Sequence, residues 1–172
     1  MFSDPVKNLR ALGLHESDIV ADLGAGTGYY TLAAAHIVTR GKVYAVEIEK
    51  EFLHTIKNKT KEAHLSNVEI IWGNVEKIGG TKIGDSITDA VIASNILFQI
   101  EHKDSFVEEI KRILKPKGHV LLVDWSSDSP LMGAKHAVPQ AKAREIFEKK
   151  GFLWQRDINT GEHHYGMILS KL

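Results

Sequence analysis

The 172 residues carry 22 Lys plus Arg against 22 Asp plus Glu, so no net field draws the chain onto nucleic acid or anionic lipid. Cysteine is absent, which excludes disulfides, thiolate metal sites and cysteine nucleophiles and agrees with a cytoplasmic location. No apolar run approaches the length of a bilayer span, and Met1 to Lys7 lack a basic region followed by an apolar one, so a single non-membrane domain over 1–172 is expected.

A helix is predicted near Pro5 to Leu12, followed by a first strand from Asp18 to Leu23 and a glycine-rich turn. The helix after that turn has Tyr29, Leu32, Ala33, His36 and Ile37 at spacings that share one face, which is its expected buried side. A second strand spans Lys42 to Glu47. Phe52, Leu53, Ile56 and Ala63 mark an amphipathic helix with its lysines outward, and a third strand follows at Val68 to Trp72. Beyond a loop with Gly79-Gly80 and Gly84-Asp85, the run Asp89 to Ser94 is apolar without alternation, as buried parallel strands are. Phe106, Val107, Ile110, Ile113 and Leu114 repeat at helical spacing until Lys115-Pro116-Lys117-Gly118 stops the helix and turns the chain into a fifth strand, Gly118 to Asp124. A looser segment from Trp125 to Val138 precedes a helix opening near Pro139 and closing at Gly151. Two last strands, Leu153 to Ile158 and His164 to Ser170, flank a short Asn159-Thr-Gly-Glu link and form an antiparallel edge hairpin. Strands alternating with helices in this way predict a doubly wound α/β fold, a mostly parallel sheet with helices on both faces.

The stretch that carries chemistry is Ile19-Val-Ala-Asp-Leu-Gly-Ala-Gly-Thr-Gly-Tyr-Tyr, where a buried strand runs through three alternate glycines into a helix. Glycines allow a tight turn and close approach of a ligand, and the helix start offers unpaired N–H groups and partial positive charge. A dinucleotide fingerprint beginning at Gly24 and Gly26 needs a third glycine at position 29, which is Tyr29. Asp22, just before the turn, repels a diphosphate and suits a cationic amino-acid ligand instead. Glu47, about twenty residues beyond the turn at the end of the second strand, stands where an acid can grip both hydroxyls of a ribose.

Asp22-Leu-Gly-Ala-Gly-Thr-Gly resembles the first motif of the class I S-adenosylmethionine (SAM) dependent methyltransferases, acid-x-Gly-x-Gly-x-Gly. The resemblance implies SAM as cofactor, cradled by Asp22, Gly24, Ala25, Gly26 and Gly28. It implies also that Glu47 takes the ribose hydroxyls and that Ile48 lies against the adenine. Trp72-Gly-Asn-Val-Glu resembles the segment where an acid meets the adenine amino group and the next backbone N–H a ring nitrogen. Here Asn74 replaces the acid and Val75 follows; the amide oxygen still accepts, without the ionic component. Asp89-Ala-Val-Ile-Ala-Ser-Asn and Ile113-Leu-Lys-Pro-Lys-Gly-His-Val-Leu-Leu-Val-Asp resemble the family's fourth-strand and fifth-strand motifs, so the likeness spans nearly the whole chain. It implies a seven-stranded sheet in the order 3-2-1-4-5-7-6 with strand seven antiparallel.

Methyl transfer relies on the activated sulfonium, so protein groups mainly position the acceptor and exclude water, and a base helps only where a proton must leave. The acceptor end of such a sheet lies outside strands four and five, where Asn95, Asp124 and Trp125 fall. Asp124 is the expected substrate-facing acid, Asn95 a cofactor contact or hydrogen-bond acceptor, and His136 a candidate base in a linker that also holds Met132. His163 and His164 point to opposite strand faces, so at most one looks toward the site and no metal site is expected. The expected acceptor is a small molecule. An RNA or protein acceptor recognised with a partner, and a non-catalytic SAM-binding subunit, remain as alternatives; Ser94-Asn-Ile-Leu stands where many base-methylating enzymes carry Asn-Pro-Pro-Tyr. Oligomeric state is not legible.

Overall fold

Seven strands pair into one sheet in the order β3-β2-β1-β4-β5-β7-β6, as drawn by a computed structural model that describes residues 3–131 and 136–172. The strands are β1 Ile19–Leu23, β2 Lys42–Glu47, β3 Val68–Trp72, β4 Thr88–Ser94, β5 Leu114–Trp125, β6 Phe152–Ile158 and β7 His164–Lys171. The first five are parallel, and β7 runs antiparallel between β5 and β6. Helix α1 Pro5–Leu12 precedes β1, and the connections between strands carry α2 Tyr29–Ile37, α3 Lys50–Glu62, α4 Lys103–Ile113 and α5 Gln140–Glu148. Asp4 caps α1 by accepting from the N–H groups of Val6 and Lys7 at 3.0 and 3.3 Å. Among the described residues no helix is long and apolar enough to cross a membrane.

Because successive strand residues face opposite ways, each central strand feeds two cores. Val20, Ile92 and Leu121 pack with Leu9 of α1 and Ala34 of α2, whereas Ala21, Val91 and Val120 pack with Phe106 of α4 and Phe147 of α5. Ile56 of α3 joins Ala45 on the first of these sides.

Two sequence expectations change here. In α2 the buried face is Tyr30, Thr31, Ala34 and Ala35, while Tyr29 is 67% exposed and His36 is exposed. That helix is apolar nearly all round, so periodicity could not choose a face; the small alanines go against the sheet because they let the backbones approach. Second, β5 begins at Leu114 and Lys115-Pro116-Lys117-Gly118 lies inside it. Pairing advances from Thr88–Leu114 to Ala90–His119, so the longer side bulges, with Lys117 at φ 64°.

The loop between β3 and β4 is tied to α4 by one buried carboxylate. Glu109 accepts from Gly79 N–H (2.8 Å), the Thr81 hydroxyl (2.6 Å) and Arg112, whose guanidinium also pairs with Asp85. Burial alone raises the Glu109 pKa, and the bonds from Arg112, Thr81 and the loop backbone outweigh it, holding the carboxyl at about 2. The folded value lies below the ordinary 4.5, so this stabilisation is present above pH 4.5 and is lost as pH falls toward 2. Glu109→Gln is expected to cost about 2 kcal/mol at neutral pH. Thermal melts across pH should show the gap to wild type closing in acid; a constant gap would refute this role.

Candidate functional site

At the carboxyl end of β1 the chain turns through Gly24 and Gly26, both left-handed at φ 69° and 54°. Gly24 has a second reason to be glycine, since a Cβ there would lie within the Ile96 side chain. The turn is held from β2: Gly24 N–H and Ala25 N–H donate to Val46 O at 2.9 and 3.1 Å, and Gly26 N–H donates to Glu47 Oε2 at 2.8 Å. Gly28 then caps α2 with no side-chain bond, leaving helix-start N–H groups unpaired by any cap.

A cleft of about 730 Å³ opens over this turn, spanning the strand ends from β2 across to β7. Asp22, Gly24, Ala25, Gly26, Glu47, Ile48, Asn74, Val75 and Asn95 all line it, whereas Gly28 does not and packs toward Ile56 and Leu32. Ile48 is half exposed, and its carbonyl accepts from the Trp72 indole N–H at 3.0 Å, which sets the position of the β2 exit.

The buried acids divide the work. Asp22 is almost fully buried and accepts from the Thr31 hydroxyl at 2.6 Å. Burial raises its pKa most, Thr31 lowers it, and nearby Glu47 raises it, leaving it at about 7. Glu47 is also buried, and besides Gly26 it accepts from Ile48 N–H (2.8 Å) and Glu49 N–H (3.0 Å). This bracing role was invisible in sequence, where nothing in an isolated strand-end acid reveals a bond to a turn twenty residues back. Asn74 spends its amide oxygen on Glu76 N–H at 2.9 Å, a local turn bond, so an adenine amino group would have to share it.

Asp124 and His136 do not join this arrangement, for neither is among the described residues lining the cleft. Asp124 is fully buried and its oxygens accept from Leu97 N–H (2.7 Å) and Trp125 N–H (2.8 Å), so it pins the turn after β4 instead of facing a substrate. Burial is the largest influence on it and raises its pKa to about 6. His136 is exposed, and Met132 lies outside the described residues. The residue that sequence left undecided is His164, which lines the cleft and stacks on Trp125 with ring centroids 4.3 Å apart, whereas His163 approaches Ser129. Tyr30 was also missed as a site residue. Its hydroxyl, held by the Asn8 amide at 2.7 Å, belongs to the cleft wall. Among the described residues no group of three or more His, Asp or Glu converges as a metal site.

Comparison with known proteins follows the same outline. A family model described as a methyltransferase domain matches residues 14–169. The chain is 30% identical over 125 residues to the ubiquinone/menaquinone biosynthesis C-methyltransferase UbiE of Hydrogenovibrio crunogenus, covering 72% of this chain and 48% of that one. It therefore spans about half the length of the curated relatives it matches. A crystal structure of a SAM-dependent methyltransferase from Aquifex aeolicus superposes with a TM-score of 0.91 at 26% identity, covering 99% of this chain and 91% of that one. The [4+2]-cyclase SpnF shares the fold at a TM-score of 0.85 and 14% identity, over 97% of this chain and 79% of that one.

The buried carboxylate of Asp22 makes a prediction with a definite sign. Its folded value, about 7, lies above the ordinary 3.8, so the unliganded fold loses stability as pH rises between these values. Asp22→Asn keeps an oxygen for Thr31 and removes that penalty. Its unliganded melting temperature should exceed the wild type's above pH 7, with the difference vanishing toward pH 4. Scanning fluorimetry across pH tests this, and a pH-independent difference would contradict it.

Proposed function

Because the chain belongs to the methyltransferase-domain family and has the class I SAM-dependent fold, we propose that it moves a methyl group from SAM to a small-molecule acceptor. The observation that carries this reading is the pair of buried acids on either side of the glycine turn. A diphosphate would meet Asp22 and Glu47 with repulsion, while an amino-acid nucleoside bearing an ammonium and a sulfonium supplies the positive charge they lack. SAM, when bound, contributes a methyl group already activated by its sulfonium.

The residues present fit that group. Burial lets Asp22 hold a proton near neutrality, and a cationic ligand favours its release. Glu47 keeps a lone pair on Oε2 beyond its bond to Gly26 and offers it to a ribose hydroxyl. Ile48 and Phe52 give apolar surface for a base, and Val75 and Asn74 border the same side. Asn95 stands at φ 53°, a left-handed conformation that asparagine tolerates, with a buried amide oxygen awaiting a donor.

A small acceptor is supported by the name of the relatives, which methylate carbon in ubiquinone and menaquinone biosynthesis, and by the balanced charge of the chain. The absence of cysteine agrees with a cytoplasmic setting. The likeness to a cyclase shows that this architecture also serves other chemistry, so binding and transfer need separate measurement.

Calorimetry with SAM is expected to show one site, and Glu47→Ala should weaken it about tenfold or more, roughly 1.4 kcal/mol. Transfer of a radiolabelled methyl group to quinols, but not to bulk RNA or protein, is the expected second result. SAM failing to bind, or nicotinamide dinucleotide binding in its place, would overturn the proposal.

A further inference from the structure

Among the described residues, three of the buried side-chain polar atoms without a hydrogen-bond partner belong to two residues lining the cleft. They are Asn95 Oδ1 and both imidazole nitrogens of His164. Folded proteins leave few such atoms, because hydration given up on burial is normally replaced by another bond. Two such residues in one cleft mark a place where a polar ligand atom can bond.

Their place in the sheet says which ligand. The glycine turn and Glu47 belong to β1 and β2, whereas His164 opens β7, on the far side of β4 and β5. There it pairs in register with Trp125, the last residue of β5, and its ring lies against the indole at a 32° tilt. His164 is 7% exposed. Trp125, Ile96 and Ile100 line the same cleft, with the polar Tyr30, Ser94 and Asn95 among them.

The charged and titratable neighbours leave His164 free to act. Asp124 on β5 is bonded to the backbone of Leu97 and Trp125, Tyr165 turns to the opposite strand face, and His163 approaches Ser129. We propose that His164 meets the methyl acceptor at the β5–β7 side of the cleft, accepts a hydrogen bond from its hydroxyl, and takes up that proton as the methyl arrives; this rests on the SAM-dependent reading above. The electron pair left as the hydroxyl proton departs is carried through the acceptor's aromatic ring to a ring carbon, which forms the new bond to the methyl carbon while the pair of the broken carbon–sulfur bond stays on sulfur; the ring C–H proton then returns to the oxygen and restores the hydroxyl. The hydroxyl proton passes to the free imidazole nitrogen. Neutral imidazole becomes imidazolium while the sulfonium becomes a neutral thioether, so charge is conserved.

Burial, and next the neighbouring His163, lowers the His164 pKa, which keeps the ring neutral at pH 7 with one nitrogen able to accept. Among the described residues no Lys or Arg lines the cleft, so an anionic acceptor would lose its hydration without a counter-ion, and an uncharged hydroxyl-bearing one is favoured.

Phenol and toluene, which differ by the hydroxyl, test this on protein saturated with S-adenosylhomocysteine, followed through the His164 imidazole nitrogen resonances by NMR. Phenol should shift them and toluene should not. His164→Phe should reduce the preference for phenol about fivefold or more, His164→Gln should retain part of it, and both should bind SAM within about twofold of wild type. If His164→Phe fails to fold, the wild-type resonances and His164→Gln decide. Wild type that binds the nucleoside yet responds alike to both probes, or to neither, overturns the role of His164 alone. Wild type that fails to bind the nucleoside overturns both readings.

Discussion

The glycine turn beneath the cleft is held from β2 by the Val46 carbonyl and by the Glu47 carboxylate, which also ties down the exit of its own strand. One oxygen takes the N–H of Gly26 in the turn after β1, and the other takes the N–H groups of Ile48 and Glu49 beyond β2. Left-handed glycines are entropically expensive to order, and this turn has them in alternation. A charge-assisted bond to its centre fixes the turn before any ligand arrives, so a ligand need not supply that ordering itself. The floor of the cleft and the start of α2 take their positions from the same bonds.

Electrostatics then sorts the ligands. Asp22 and Glu47 are both buried, and burial, with the charge of Glu47 adding to it, raises the Asp22 pKa. A buried acid of this kind costs stability by itself and is favourable beneath a cation, which is the usual trade of stability for binding at a functional site. Glu109 shows the opposite use of a buried acid. Fully bonded to Arg112, Thr81 and the loop backbone, it is held ionised and secures the segment carrying Gly79 and Thr81 against α4.

The unsatisfied atoms mark the other half of the site. Asp124 illustrates why position at a strand end is weak evidence of catalysis: the residue stands at the carboxyl end of β5, yet its carboxylate turns inward to the backbone of the turn after β4. His164 enters from the antiparallel strand, whose amino end reaches the same rim as the carboxyl ends of its neighbours. A reversal of strand direction thus delivers a first residue where the parallel strands deliver last ones.

Strand and helix order was legible in the residues, because β-branched runs, glycine and proline punctuation and the Asp22 to Gly28 spacing are local properties of the chain. That the glycine turn and Glu47 would border one cleft was legible for the same reason, since turn, acid and helix start are contiguous or one strand apart. The buried face of α2 was not, because a helix apolar all round carries no periodic signal. Nor was the bulge in β5, the bond from Glu47 to Gly26, the inward turn of Asp124 or the pairing of His164 with Trp125. Each of these depends on which backbone N–H group, ring or strand lies opposite a side chain, and those neighbours, often twenty or more residues away, are chosen only when the sheet closes.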